Sequence, residues 1–113
     1  MKVINRNKVE SIEDVCGTIK ELYSSTDLSL SIATITGKST PHIHKKMEEI
    51  YFVLQGKGEI FIGDESEIIK KGDLVAIPKN KFHYVRTKKG ETIEVIVATH
   101  PGFDKDDVIE KMS

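Results

Sequence analysis

Two histidines and two glutamates lie close together in the stretch HIHKKMEE, which covers residues 42–49. Imidazole nitrogens and carboxylate oxygens are common ligands of divalent transition metals. Side chains at positions i and i+2 of a strand point to the same face, so His42 and His44 would face one point together. Pro41 supports this geometry because it favours an extended residue before it. The spacing fits a metal site, but a His-x-His pair alone is equally typical of surface or hydrogen-bonded histidines.

Further ligands could reach such a site from neighbouring elements. The next apolar segment starts at Glu49 and could bring in a carboxylate, although Glu48 and Glu49 could instead be exposed charges. His83 opens another apolar segment after the turn PKNK and could supply a third imidazole. Three neutral imidazoles and one carboxylate suit a single divalent ion of Fe, Mn, Ni, Co, Cu or Zn. No cysteine lies nearby, which argues against a thiolate-rich structural zinc site.

The elements that would position these residues are short strands. Apolar runs rich in β-branched residues, some strictly alternating, cover residues 28–35, 49–55, 59–63, 67–70, 73–78, 82–87 and 92–99. Glycine, proline and polar clusters separate them, and such spacing of about 8–12 residues is typical of an all-β sandwich or barrel. Helix signals occur only at the ends. They predict one turn over residues 11–15 and a short helix over residues 103–112, with Asp104 as its N-cap.

Length and composition limit the kind of protein. The chain has 113 residues, of which 38% are hydrophobic and 31% charged, as in one soluble globular domain. A net charge of −1 gives no general attraction to nucleic acid or to anionic membranes. No segment approaches the roughly 20 apolar residues of a membrane span. The N-terminal region lacks a signal-peptide pattern and Cys16 has no disulfide partner, so we expect a cytoplasmic protein.

The order of these residues resembles the first of two conserved motifs of the cupin superfamily. The segment GKSTPHIHKKMEEIYFVLQG covers residues 37–56. After His44 come four residues, then Glu49, six more residues and Gly56, as in the family pattern. Gly37 lies one residue too close to the histidine pair. The match is otherwise complete.

The segment GDLVAIPKNKFHYVRT, residues 72–87, resembles the second motif of the superfamily. The residues that match are Gly72, Pro78 and His83. Asn80 occupies the position of the second glycine, and Thr87 occupies the position of an asparagine. The first departure is mild because asparagine tolerates left-handed backbone conformations. Neither departure changes a ligand position.

This resemblance implies a fold and a site. It implies one cupin domain over residues 1–113, with a conserved core at about 28–99. The fold would be all-β, a small antiparallel jelly-roll barrel with a short C-terminal helix. The metal ligands would be His42, His44, Glu49 and His83, and the register selects Glu49 rather than Glu48. Tyr51 shares the strand parity of Glu49 and is the best candidate for the pocket wall.

The resemblance restricts function less, because this fold carries many chemistries. It implies a metal-binding protein that acts on or binds a small polar organic molecule, such as a sugar or sugar phosphate. Small proteins described as mannose-6-phosphate-isomerase-like have a similar sequence organisation, a single compact barrel with a short hairpin between the motifs. A metal-dependent dioxygenase and a non-catalytic sensor or storage protein are the alternatives, so whether the chain is an enzyme stays open. Small cupins are often homodimers, and residues 28–35 are the expected contact.

The remaining conspicuous side chains have ordinary structural explanations. We expect Lys45 and Lys46 in a solvated loop, Arg86 in a surface ion pair, and Cys16 as a small buried residue. The aromatic side chains of the strands are expected in the core; they are Tyr51, Phe61, Phe82 and Tyr84. His100 is expected in a turn.

Overall fold

The computed structural model describes residues 1–110, and almost all of its regular structure is β. Two short 3₁₀ turns, Arg6–Lys8 and Lys105–Asp107, are its helical elements in that range. The strands are β1 (Ile12–Asp14), β2 (Gly17–Ser24), β3 (Ser29–Thr36), β4 (His42–Ile43), β5 (Glu48–Gln55), β6 (Lys57–Ile62), β7 (Glu65–Lys70), β8 (Leu74–Ile77), β9 (His83–Arg86), β10 (Thr92–His100) and β11 (Ile109–Glu110). No helix of residues 1–110 is long and apolar enough to cross a membrane.

The strands form two antiparallel sheets. The first sheet has the order β1–β2–β3–β10–β5–β8, and the second has the order β11–β4–β9–β6–β7. Strands distant in sequence are therefore neighbours: β10 lies between β3 and β5, and β11 pairs with β4. This arrangement confirms the predicted all-β jelly-roll barrel.

Alternation along the central strands decides which side chains enter the space between the sheets. In β5, Tyr51 and Val53 are buried, whereas Ile50 and Phe52 remain 42% and 38% exposed on the outer face. Successive side chains of a strand point to opposite faces, so Glu49 shares the inward face with Tyr51. The carboxylate thus points into the space between the sheets rather than into water, and it is only 4% exposed.

Two turns of the predicted motifs require unusual backbone conformations. Gly56 has a φ of +77°, and an added Cβ there would lie 2.1 Å from the carbonyl oxygen of Thr92. Such a contact excludes any side chain, which explains the glycine between β5 and β6. Asn80 has a φ of +65°. Asparagine is the residue that best replaces glycine in this left-handed region, as expected from the sequence.

Two predictions for the chain ends are wrong. Residues 12–14 form β1, paired with β2, where one helical turn was predicted. Asp104 does act as an N-cap, but it caps only the 3₁₀ turn Lys105–Asp107. Ile109–Glu110 then forms β11 on the free edge of β4, because pairing with that edge satisfies the backbone in place of a helix. The end of the predicted helix, residues 111–112, lies outside the described residues.

Candidate metal centre

The four predicted ligands meet between the two sheets. All are buried, and their potential ligand atoms lie within 4.8 Å of one another. His42 on β4 and His83 on β9 are register partners in the second sheet, and His44 follows directly after β4. Glu49 lies at the start of β5 in the first sheet. The imidazoles therefore come from one sheet and the carboxylate comes from the other.

Each imidazole directs its Nδ1 atom at a main-chain carbonyl. The carbonyl acceptors are Thr40 for His42 at 2.7 Å, Lys81 for His83 at 3.3 Å, and Asp107 for His44 at 2.7 Å. A carbonyl oxygen only accepts, so we assign the proton of each ring to Nδ1. The Nε2 lone pairs are then left for the centre of the cluster. Metal-binding histidines are oriented by the same kind of outer hydrogen bond.

Three buried atoms at the centre lack a hydrogen-bond partner within residues 1–110: His44 Nε2, His83 Nε2 and Glu49 Oε1. The Glu49 oxygen lies 3.1 Å from the His83 nitrogen and 3.5 Å from the His44 nitrogen. Because the Nδ1 protons are directed elsewhere, these contacts are favourable only when a further proton or a cation lies between the atoms. Buried polar atoms without partners are costly. The donor set therefore fits a divalent transition-metal ion.

Electrostatics within the cluster give Glu49 and His42 the ionic forms that a metal needs, whereas His44 is shifted the other way. Burial alone would raise the pKa of Glu49, but the imidazoles of His44 and His83 outweigh it and hold that pKa at about 2. Burial, together with the neighbouring His83, lowers the pKa of His42 to about 4. Burial would also lower the pKa of His44, but Glu49 outweighs it and the net shift is upward. Near neutral pH, Glu49 is an anion and His42 is a neutral ligand.

Asp107 supports the site in a way that no local sequence pattern indicates. Its side chain is 4% exposed. The carboxylate accepts backbone N–H bonds from Lys45, Lys46 and Met47 at 2.8, 2.9 and 2.8 Å. Burial alone would raise the pKa of Asp107, but these three donors outweigh it and lower the pKa. Asp107 thus holds the turn that connects His44 to β5.

A cavity of about 50 Å³ adjoins the cluster and is bordered by His42, His44 and Glu49. Such a volume holds a few water molecules or a very small ligand. Most of the wall surface is apolar, and Phe103 and Val108 bring the C-terminal segment to it. Besides the three cluster residues, the polar members of the described wall are Asp14, Glu21, Ser29, Ser31 and Thr99, and that lining contains no lysine or arginine. A larger groove, of about 740 Å³, lies along β6, β7 and β8 and includes no histidine in its described lining.

Tyr51 and Cys16 lie beside the cluster. Tyr51 is 2% exposed, its hydroxyl is 3.5 Å from the Cys16 sulfur, and its ring packs edge-on near His83. The same sulfur lies 3.9 Å from His42 Nε2. Burial raises the pKa of both the phenol and the thiol, so both keep their protons near neutral pH. Cys16 is buried as predicted and also lines the cavity, whereas Tyr51 is not among the described lining residues.

Other predicted side chains lie away from the cluster. Lys45 and Lys46 are exposed, as expected for a solvated loop. Arg86 pairs with Glu59 at 2.9 Å, as predicted. The assignment of Phe61 and Tyr84 to the core is wrong: the two rings stack 4.5 Å apart and remain half-buried, with Arg86 above Phe61. His100 ends β10 rather than lying in a turn, and its Nδ1 donates to the carbonyl of Asp27.

Comparisons with known proteins agree with this geometry. A family model described as a cupin domain matches residues 31–99. L-ectoine synthase from Vibrio campbellii is 35% identical over 94 residues, which cover 80% of this chain and 73% of that protein. The polyketide cyclase RemF from Streptomyces resistomycificus superposes with a TM-score of 0.84 at 21% identity, covering 100% of this chain and 87% of that one. A variant of Streptomyces PAC13 with uridine superposes with a TM-score of 0.83 at 14% identity, covering 99% of this chain and 92% of that one. The two structures show similarity of fold.

Proposed function

The chain belongs to the cupin family, and we propose that it holds one divalent transition-metal ion with His42, His44, Glu49 and His83. The observation that carries the proposal is the set of unpartnered Nε2 and Oε1 atoms buried at the centre of the cluster. Four protein ligands leave positions open to a water or a substrate oxygen, and a bound metal would supply Lewis acidity or a site for dioxygen there. We also infer a single cupin domain over residues 1–113, with its core at about 28–99.

The molecule that reaches this site is, in our proposal, a small organic molecule with a metal-binding oxygen. The relatives support this role: one is an L-ectoine synthase, and PAC13 was solved with uridine. The charges of the cavity wall favour an uncharged molecule over a phosphate ester. A phosphate site needs lysine or arginine side chains or a cluster of free backbone N–H groups. The described lining instead carries the carboxylates of Asp14 and Glu21.

If the chain is an isomerase, a group near the metal must move a proton. Tyr51 is unsuited to act as a base because burial raises its pKa. Asp14 and Glu21 line the cavity and are not among the proposed metal ligands, so they are better placed to act as the base. A dioxygenase would need no such base but would consume dioxygen. Oxygen uptake would therefore favour the dioxygenase, and proton exchange on a carbonyl substrate would favour the isomerase. Ligand binding without turnover would indicate a sensor or storage protein.

We propose that two copies associate through the outer face of the first sheet. The outward side chains on β3, β10, β5 and β8 include a group of apolar ones that are exposed or half-buried: Leu30, Ile96, Ile50, Phe52 and Leu74, with Leu28 just before β3. An apolar surface is complementary to itself, as a two-fold interface requires, and contiguous exposed apolar area is characteristic of interaction sites.

We keep the cytoplasm as the proposed compartment, since Cys16 is a buried free thiol.

Elemental analysis tests the metal proposal directly. Protein purified without chelator should contain about one transition-metal ion per chain. The variants His42→Ala, His44→Ala, Glu49→Ala and His83→Ala should each lose most of it. His100→Ala is the matched control, because His100 is the chain's remaining histidine and bonds to Asp27 outside the cluster. Metal content that survives all four substitutions would contradict the assignment.

A further inference from the structure

The three imidazoles of the cluster differ in how their outer hydrogen bonds are supplied. His42 and His83 each use a carbonyl two residues earlier in their own segment, Thr40 and Lys81. These bonds are local, because donor and acceptor are only two residues apart in the sequence. His44 instead uses the carbonyl of Asp107, which is 63 residues away in the sequence. The orientation of this one ring therefore depends on the C-terminal segment being in place.

The side chain of the same residue acts on the connection between two ligands. Residues 45–47 form the turn between His44 and β5, and all three of their N–H groups donate to the Asp107 carboxylate. Within residues 1–110, the carboxylate has no cationic side chain as an ion-pair partner. Charge-assisted bonds of this kind are stronger than neutral ones and fix geometry. The turn sets how far Glu49 lies from His44 and therefore the shape of the donor set.

The C-terminal segment is itself fixed against the ligand strand. Strand β11 pairs with β4 through Glu110 opposite His42 and Ile109 opposite Ile43. The carboxylate of Asp104 accepts from the backbone N–H of Asp106 and so caps the 3₁₀ turn that presents Asp107. Asp107 therefore reaches the site from a structured element.

We propose that Asp107 is a positioning residue of the metal centre: its carbonyl orients the His44 ring, and its carboxylate fixes the turn that separates His44 from Glu49. This inference rests on the proposed metal site. Outer-shell partners of metal ligands contribute about 10- to 100-fold to metal affinity. The loss of the carboxylate should therefore weaken metal binding by about tenfold or more.

The test is a Co²⁺ titration of metal-free protein, followed by calorimetry and by the visible absorption of the bound ion, which reports ligand geometry. Asp107→Asn keeps the volume of the side chain but places an amide where three N–H donors converge. It should weaken Co²⁺ binding at least tenfold and alter the spectrum. Asp107→Ala should do the same. Asp106→Asn, a change at an exposed neighbour, should match the wild type.

A second control separates positioning from general destabilisation. Thr87 is also a buried side chain that fastens two distant backbone segments: its Oγ1 accepts from Gly37 N at 2.7 Å. Thr87→Val should lower the melting temperature but leave the Co²⁺ affinity and spectrum unchanged. If the Asp107 variants bind Co²⁺ within about twofold of wild type with the same spectrum, the proposal is wrong, since outer-shell partners contribute tenfold or more.

Two remaining outcomes are also decisive. If both Asp107 variants fail to fold, hydrogen exchange of the wild type replaces them. Metal addition should then slow exchange in residues 45–47 and 105–108 together, and a C-terminal segment that does not respond would overturn the inference. Wild-type protein that binds no Co²⁺ would overturn the proposed metal site as well, whereas wild-type binding with unaffected Asp107 variants overturns this inference alone.

Discussion

Two adjacent glutamates with opposite orientations allow a sharp test of the ligand assignment. Glu49 points into the core at 4% exposure, and Glu48 is exposed on the outer face of β5. A pKa held at about 2 rather than 4.5 means that the cluster stabilises the Glu49 carboxylate by about 3 kcal/mol, at about 1.4 kcal/mol per tenfold change. A divalent cation would attract this carboxylate at least as strongly as the imidazoles do. Glu49→Gln should therefore weaken metal binding about 100-fold or more.

The assay is calorimetric titration of the metal-free protein with Zn²⁺ or Co²⁺ at pH 7.5. Glutamine keeps the size of the side chain, so the change removes charge rather than volume. Glu48→Gln is the matched control and should bind within about twofold of wild type, because exposed charges at this separation are screened by salt. An equal loss in the two variants, or a larger loss at Glu48, would refute the register. No loss in either variant would refute the carboxylate ligand.

Two further predictions follow from the structure. In EDTA, acidification from pH 6.5 to pH 4 should lower the free energy of unfolding of the metal-free protein by up to about 3 kcal/mol. The pKa of His42 is about 4 in the folded state and 6.5 in the unfolded state. The unfolded state therefore binds one more proton over this pH range and is favoured by acid. Urea denaturation measures the free energy of unfolding at each pH, and its decrease on acidification should be smaller in His42→Gln. An equal decrease in the variant would contradict the assignment of the effect to His42. Phe52→Glu should convert the proposed dimer to a monomer in light scattering, whereas Ile68→Glu on β7, where the side chain is more exposed than Phe52, should not. A wild type that is already monomeric would contradict the interface.

Strands that carry strong apolar patterns could be predicted from the sequence. All seven predicted runs, from β3 and from β5 to β10, occur within a residue or two of their expected bounds. Strand β2 was missed because Lys20 and Glu21 interrupt its apolar residues, and its exposed positions outnumber its buried ones. Both β4 and β11 are two-residue strands, and β11 exists only through its pairing with β4, which pairs also with β9. Pairing between distant segments leaves no periodic signal in so short a stretch.

The residues of the site likewise divide into those that could be predicted from the sequence and those that could not. The side chains that meet at its centre could be identified because their type and spacing follow a recognisable motif, and the structure brings His42, His44, Glu49 and His83 together. Asp107 could not be identified, since its partners are backbone N–H groups, which every sequence offers. Asp14 and Glu21 were missed because β1 and β2 were not predicted, and a lining residue can be recognised only after its strand has been placed.

The position of the cluster between two sheets explains why the motif alone does not specify a working site. The imidazoles belong to the second sheet and Glu49 to the first, so their separation depends on how the sheets are connected. The direct connection is the turn at residues 45–47, whose N–H groups are bound by a residue outside both motifs. A chain could therefore keep all four ligands and still hold them too loosely for a metal if its C-terminal segment lacked an equivalent carboxylate. The metal affinity of such a domain depends on the geometry of this turn as well as on the identity of its ligands.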